Sequence, residues 1–135
     1  MKKSLFTLVI ILAATAFSFA QDQTTLVPAP AQFTKTELLA FTDLKALLSA
    51  INKGQDYSKY IVRNFNLNTV ITDASQKTVV VSEMGPGGVW SAKQKSMIEQ
   101  YAKKGVVFTL DNMVMMENGT KGMITQPNVS FVIKD

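Results

Sequence analysis

The side chains that could carry chemistry in this chain of 135 residues are carboxylates, lysines, tyrosines and hydroxyls, because the sequence contains no histidine and no cysteine. That composition excludes the Ser-His and Cys-His pairs that activate a nucleophile. It also removes the commonest ligands of zinc and most other transition metals, and no acidic loop has the spacing of a calcium site. We therefore expect no bound metal and no cofactor.

Nothing in the spacing of the remaining groups indicates catalysis. A glycosidase needs two carboxylates that converge across a cleft, and those of this chain are scattered, mostly beside turns or on polar helix faces: Asp43, Asp56, Asp73, Glu83, Glu99, Asp111 and Glu117. Ser91 lacks the S-x-x-K spacing of a Ser-Lys dyad. The turn at residues 85–88 precedes a helix N-terminus that could bind phosphate, but neither glycine-rich phosphate fingerprint is present. We expect no catalytic residues and no enzymatic activity.

The strongest binding candidates are methionines around the hairpin signal Asn118-Gly119. Methionine suits both irregular core gaps and adaptable interfaces. If Met115 and Met116 lie in one strand, they face opposite sides, so at least one lies outside the core. Trp90 either plugs the end of the sheet or anchors an interface, where Trp is enriched. The predicted partner surface consists of Trp90, Met113, Met115, Met116, Asn118 and Met123.

Two helices and several strands must position these residues. Thr34 and Glu37 have capping-box spacing, and apolar residues from Leu38 to Ile51 recur at helical intervals. Residues 33–54 are therefore predicted to be an N-terminal helical segment, whose apolar face packs either on the sheet or on a partner. Ser91 and Gln94 form a second capping box, before a helix that is predicted to run to Lys104.

From Ile61 the hydrophobic period changes to two, which predicts strands. Ile61, Phe65 and Leu67 fall on one side and a row of asparagines on the other, either solvated or forming a polar binding surface. Further strands are predicted in residues 78–82, 106–116, 123–125 and 129–134. The predicted fold is α+β: an antiparallel sheet resembling an immunoglobulin-like sandwich over 61–134, with one crossing helix plus the N-terminal helix.

Residues 1–20 have the layout of a secretory signal peptide, with Lys2 and Lys3 before an apolar run and a cleavage site after Ala20. Removing them lowers the formal charge from +4 to +2 by taking away those two lysines. We expect no nucleic-acid binding and, after cleavage, no membrane span. Residues 21–32 are interpreted as an extended tether and 33–135 as a single domain. The expected location is the periplasm or the medium.

The segment from residue 90 to 134 resembles the last domain of GldM/PorM-type proteins of gliding motility and type IX secretion in Bacteroidota. The resemblance follows five segments in order: Trp90-Ser91-x-x-Gln94-Lys95-x-Met97-Ile98, Lys104-Gly105-Val106-Val107-Phe108, Asn112-Met113, Asn118-Gly119 and Pro127-Asn128-Val129-Ser130-Phe131. It implies a small immunoglobulin-like module with an added helix that contacts proteins. Full-length members of that family have a membrane anchor and further periplasmic domains before this last domain. In this sequence a predicted signal peptide takes their place.

Two functions remain open from the sequence. The leading hypothesis is an exported, non-enzymatic envelope protein that binds another protein through the hairpin Met113–Met123 and the loop Gly85–Trp90. The alternative is a binder of a small or apolar ligand, in a pocket between the helix of residues 38–51 and the sheet. The sequence indicates neither the partner nor the oligomeric state.

Overall fold

The computed structural model describes residues 29–135; the predicted leader and most of the predicted tether lie outside this range. Six strands and three helices follow one another within it: β1 (Ala31–Phe33), α1 (Lys35–Ala40), α2 (Leu44–Ile51), β2 (Tyr60–Thr72), β3 (Thr78–Pro86), α3 (Ala92–Tyr101), β4 (Val107–Glu117), β5 (Met123–Thr125) and β6 (Val129–Ile133).

All six strands form one sheet in the order β1-β6-β4-β2-β3, with β5 paired to β4. The α+β class is therefore confirmed. The sheet is mixed rather than antiparallel, because Ala31 and Gln32, which we assigned to the tether, belong to β1 and pair in parallel with β6. An immunoglobulin-like sandwich is not confirmed, since the strands of residues 29–135 form a single sheet.

The core lies between the three helices and one face of the sheet. That face presents three stacked or edge-on aromatic rings from neighbouring strands, Phe33, Phe108 and Phe131, with centroids 5.7 to 5.9 Å apart. Against it pack apolar side chains of every helix, including Leu38, Leu47 and Ile98, which are fully buried. No helix of the described range covers the opposite face, which we call the open face.

The predicted N-terminal helix is two helices in the structure. The Asp43 side chain accepts a hydrogen bond from the Lys45 backbone and so caps a new helix, while Phe41 has extended backbone angles. Competition from this second cap ends the first helix at Ala40, although the apolar spacing continues through the break. The predicted capping boxes at Thr34 and Ser91 are both present. Helix α3 ends at Tyr101, three residues earlier than predicted.

Strand β2 contains an irregularity that reverses part of its predicted facing. Its pairing with β4 shifts register between Val62 and Asn64. The extra residue places Val62 in the core and turns Ile61 to the open face, where it is 42% exposed. The prediction that Ile61 shares a face with Phe65 is therefore wrong, because a bulge interrupts the alternation of side chains between the two faces of the sheet.

Candidate protein-contact surface

The six predicted contact residues fall into two groups. Trp90, Met113 and Met115 lie in the core, and both methionines are fully buried. Met116 is partly exposed, whereas Asn118 and Met123 are exposed. Met115 and Met116 do face opposite sides of β4. The hairpin signal is confirmed, since Asn118 and Gly119 join β4 to β5, with Gly119 at φ 81°.

Trp90 joins helix α1 to the sheet. Its indole Nε1 donates a hydrogen bond to the Leu38 carbonyl at 2.9 Å, and its ring meets Phe65 edge-on at 5.6 Å. Only 7% of the residue is exposed. Because the polar end and the apolar body of the indole are both engaged inside the domain, this placement favours the plug rather than the interface.

An exposed apolar patch lies at the end of the sheet that carries the β4–β5 hairpin. Ile61 is opposite Met116 in the β2–β4 register, and Met116 is opposite Met123 in the β4–β5 register. Ile61 also lines a shallow depression of about 260 Å³ together with Val89. Met123 and Val89 are 63% and 56% exposed. We call these four residues, Ile61, Val89, Met116 and Met123, the Ile61 patch.

The patch brings together the hairpin and the loop 85–90, the two segments that the sequence selected. The sequence missed Ile61 and Val89. Ile61 was assigned to the core because the bulge in β2 leaves no signature in hydrophobic alternation. The exposure of Val89 was not predicted, because a single valine beside a tryptophan carries no periodic signal. No sequence signal distinguishes a buried Trp from an exposed one at the end of a turn.

Backbone hydrogen bonds hold the loop beside the patch in place. The Gly87 amide donates to the Arg63 carbonyl at 2.8 Å, and the Gly88 carbonyl accepts from the Leu44 amide at 2.6 Å. Gly87 adopts φ 75°, a conformation that suits glycine. The loop is thus tied both to β2 and to the start of α2, so Val89 is presented from a fixed backbone.

Arg63 borders the patch, whereas Tyr60 and Glu117, one pair further along the register, face the other side of the sheet. The Arg63 guanidinium lies 3.6 Å from the Met116 sulfur. Lys59 lies 3.6 Å from the Glu117 carboxylate and over the Tyr60 ring. The contact with Tyr60, followed by the attraction of Glu117, raises the pKa of Lys59, which therefore keeps its charge. An apolar centre with a charged group at its border is common in protein interfaces.

The open face contains two acceptors without a donor. Asn66 and Asp111 are opposite each other in the β2–β4 register. One side-chain oxygen of each, Oδ1, is shielded from solvent and accepts no hydrogen bond from residues 29–135. A shielded acceptor without a donor is costly. Because both atoms are shielded from solvent, the donors of a partner have no access to them in this conformation.

Larger concave sites lie elsewhere, among them a groove and a pocket. A groove of about 630 Å³ runs where β2 extends past the start of β4, between Val70 and Val107 on one side and Tyr101 and Lys103 on the other. A pocket of about 420 Å³ lies where the end of α2 approaches the segment between β5 and β6, lined by Leu48, Tyr57 and Met113 among others.

Two carboxylates of the described range hold turns in place. Asp56 accepts from the Ser58 amide, and the Ser58 hydroxyl, followed by that amide, lowers the pKa of Asp56. Asp73 accepts from the Ser75 and Lys77 amides in the β2–β3 turn. Among residues 29–135 no group of three or more acidic side chains is placed to hold a metal ion.

Comparison with known proteins adds no assignment. No family model matches this chain, and no curated protein matches it. Within the range that the structure describes, none of the helices has the length and apolar character needed to cross a membrane.

Proposed function

We propose that this chain is an exported, non-enzymatic protein of the bacterial cell envelope that binds another protein through the Ile61 patch. The observation that carries the proposal is the patch itself. It joins exposed apolar side chains from a hairpin, a bulged strand and a loop held by backbone hydrogen bonds, and the Arg63 guanidinium borders it. A single exposed apolar residue needs no explanation, but a cluster from three separate segments does.

The chemistry of the patch supports a protein partner. Met116 and Met123 supply flexible, polarisable surface that adapts to another side-chain surface. Arg63 at the rim brings donors suited to a carboxylate. The absence of histidine and cysteine from the sequence supports a binding role over a catalytic one.

The setting of the proposal comes from the sequence. The signal peptide of residues 1–20 supports export to the periplasm or the medium. The resemblance of residues 90–134 to the last GldM/PorM domain supports an immunoglobulin-like contact module of the Bacteroidota envelope, related to gliding motility and type IX secretion. On this reading the partner is another envelope protein, and the chain uses no cofactor.

The test is cross-linking in source cells with a matched pair of variants. Met123→Lys places a charge in the patch, whereas Met84→Lys places one at a site that is equally exposed, 66% against 63%, but outside it. After mild cross-linking and purification, we expect wild type and Met84→Lys to recover the same secretion or gliding component, and Met123→Lys to lose it. Equal recovery by both variants would contradict the proposal.

The pocket of about 420 Å³ beside α2 supports a second candidate function, the binding of a small ligand. Its volume lies within the range of ligand pockets. The pocket lies at the end of α2, which is part of the helical segment predicted to line a ligand pocket. Its rim is polar, because the Tyr57 hydroxyl donates to Gln55 and accepts from Asn52. Native mass spectrometry of the exported protein would show a bound mass for this candidate and the bare chain for the leading one.

A further inference from the structure

We propose that two copies of this chain pair through the outer edge of β3, with the two-fold axis at Val80, to form one continuous sheet. This inference is independent of the proposed function. It uses the opposite end of the sheet, since Ile61 and Val70 are separated by about 30 Å along β2. The occupant of the edge is a second copy because the strand is complementary to itself.

The hydrogen-bond phase of the β2–β3 hairpin determines which backbone groups point outward. Asp73 donates to the Lys77 carbonyl at one end of the ladder, and Gly87 donates to the Arg63 carbonyl at the other. The constant register between them means that odd-numbered residues of β3 point their amides and carbonyls toward β2. Those of Thr78, Val80 and Ser82 therefore point away from the sheet, and no strand of residues 29–135 pairs with them.

Near the end of β3, the Gln94 side chain of α3 packs over Gly85 and donates to the Glu83 carbonyl at 3.1 Å. Both residues are odd-numbered, so this contact ties the strand to α3 and does not cover its outward groups. The segment Thr78–Ser82 lies beyond this contact, and Val80 is 64% exposed. Its sequence, TVVVS, has high strand propensity and contains no charge and no proline. Natural proteins usually protect such an edge with one of those devices.

Antiparallel pairing about Val80 matches every residue of the segment with a suitable partner. Val80 meets Val80 of the second copy, Val79 meets Val81, and Thr78 meets Ser82. One step further, Lys77 meets Glu83 of the second copy, and the same pair forms again by symmetry. Neither side chain takes part in the ion pairs found within the described range. About six backbone hydrogen bonds would join the copies.

The same register completes an apolar row on the open face. Val70 is opposite Val80 in the β2–β3 register, and Val107 is opposite Val132 in the β4–β6 register. Val70 and Val107 adjoin, one step beyond the Thr69–Phe108 pair. Val70 and Val107 are 58% and 47% exposed. In the dimer this row of four valines continues into the row of the second copy, so the exposed valines become cross-strand neighbours.

The test is sedimentation velocity of the exported protein between about 1 μM and about 1 mM. We expect a monomer–dimer equilibrium that Val80→Lys abolishes, because it sets two charges against each other at the axis. Met84→Lys is the matched control, since it lies on the same strand and face with similar exposure but outside the paired segment, and it should leave the equilibrium unchanged. Circular dichroism should show both variants folded.

A charge swap tests the register itself. Lys77→Glu and Glu83→Lys should each weaken dimerisation about tenfold, because each creates two like-charged pairs. The double variant should restore it. The proposal is overturned if the wild-type protein stays monomeric throughout, if Val80→Lys leaves association intact, if the double variant does not recover, or if association continues beyond two copies.

Discussion

The two outer edges of the sheet, β1 and β3, are built in opposite ways. β1 has three residues, and its last residue, Phe33, lies between the rings of Phe41 and Phe131. β3 has nine residues, and its first half lies open with an uncharged, valine-rich sequence. The Phe33 carbonyl also accepts from the Lys134 amide, which ties the short edge to the end of the chain.

The difference indicates that each edge has its own role. A short strand with an aromatic anchor and a helix directly after it offers little backbone to another chain. A long, flat and exposed strand offers a row of donors and acceptors, and proteins that keep such an edge use it for pairing.

The largest effect is expected from Trp90→Ala, which removes the link between α1 and the sheet. Loss of the buried ring and of its hydrogen bond to Leu38 should lower the free energy of unfolding by about 4–5 kcal/mol. Trp90→Phe is the matched variant. It keeps the contact with Phe65 but removes the indole donor from the Leu38 carbonyl, which retains the Phe41 amide at 3.3 Å, for a loss of about 1 kcal/mol. Urea denaturation measures both, and a mild effect of Trp90→Ala would contradict the plug.

Phe33→Ala should break the protected edge directly. The side chain is 9% exposed and contacts two aromatic rings, so truncation should cost about 3 kcal/mol. Gln32→Ala, at the exposed neighbour in the same strand, should change stability by less than about 0.5 kcal/mol. Equal effects of the two in urea denaturation would show that β1 does not anchor the edge.

Gly85→Ala should loosen the contact between the end of β3 and helix α3. A methyl group there would overlap with the Gln94 amide, which also accepts from the Ser91 amide and donates to the Glu83 carbonyl. We expect a loss of about 1–3 kcal/mol by urea denaturation. Gly122→Ala is the control, because the nearest atom to its added methyl is Thr120 Oγ1 at 3.9 Å. A loss at Gly122 as large as at Gly85 would contradict this account.

The smallest expected effect is the pH dependence of stability that arises from Glu37, at the start of helix α1 directly after β1. Glu37 accepts from the Thr34 amide and pairs with Lys134 at 3.1 Å. The Thr34 hydrogen bond, followed by Lys134, lowers the pKa of Glu37. Its contribution to stability is therefore complete above the range in which a free glutamate titrates, and it is lost as the pH falls below that range.

The matched variant is Glu37→Gln, which retains a side chain suited to the capping box but lacks the charge. Thermal denaturation should show wild type slightly more stable than the variant at neutral pH, and the two should converge in acid. A difference that persists unchanged in acid would show that the Glu37 charge is not responsible.

How much of this could be predicted from the sequence differs between elements. The capping boxes at Thr34 and Ser91 and the Asn118-Gly119 turn were predicted correctly, because local hydrogen bonds determine them. The break at Asp43 was missed, since a second cap competes with an unbroken apolar stripe. Strand β1 was also missed, because three residues next to prolines carry no periodic signal and pair with a strand at the other end of the chain.

The candidate surface was predicted only in part, for a related reason. Alternation correctly requires Met115 and Met116 to face opposite sides, but it cannot say which side is covered. A register shift between Asn64 and Asn66, with Asn112 at φ 47°, reverses the facing along β4 and turns Met113 and Met115 into the core. The helices cover that face, together with Trp90. The bulge in β2 then exposes Ile61. Both effects depend on contacts between distant segments, which spacing along the chain does not record.

The most direct test of the contrast between the two edges is amide hydrogen exchange of β3 across a dilution series. Val79 and Val81 should be protected at every concentration, because their amides point toward β2. Thr78, Val80 and Ser82 should exchange rapidly in dilute protein and become protected together as the concentration rises, while Met84 stays unprotected. Rapid exchange of Val80 at every concentration, or protection that extends to Met84 as well, would contradict the proposed pairing of β3.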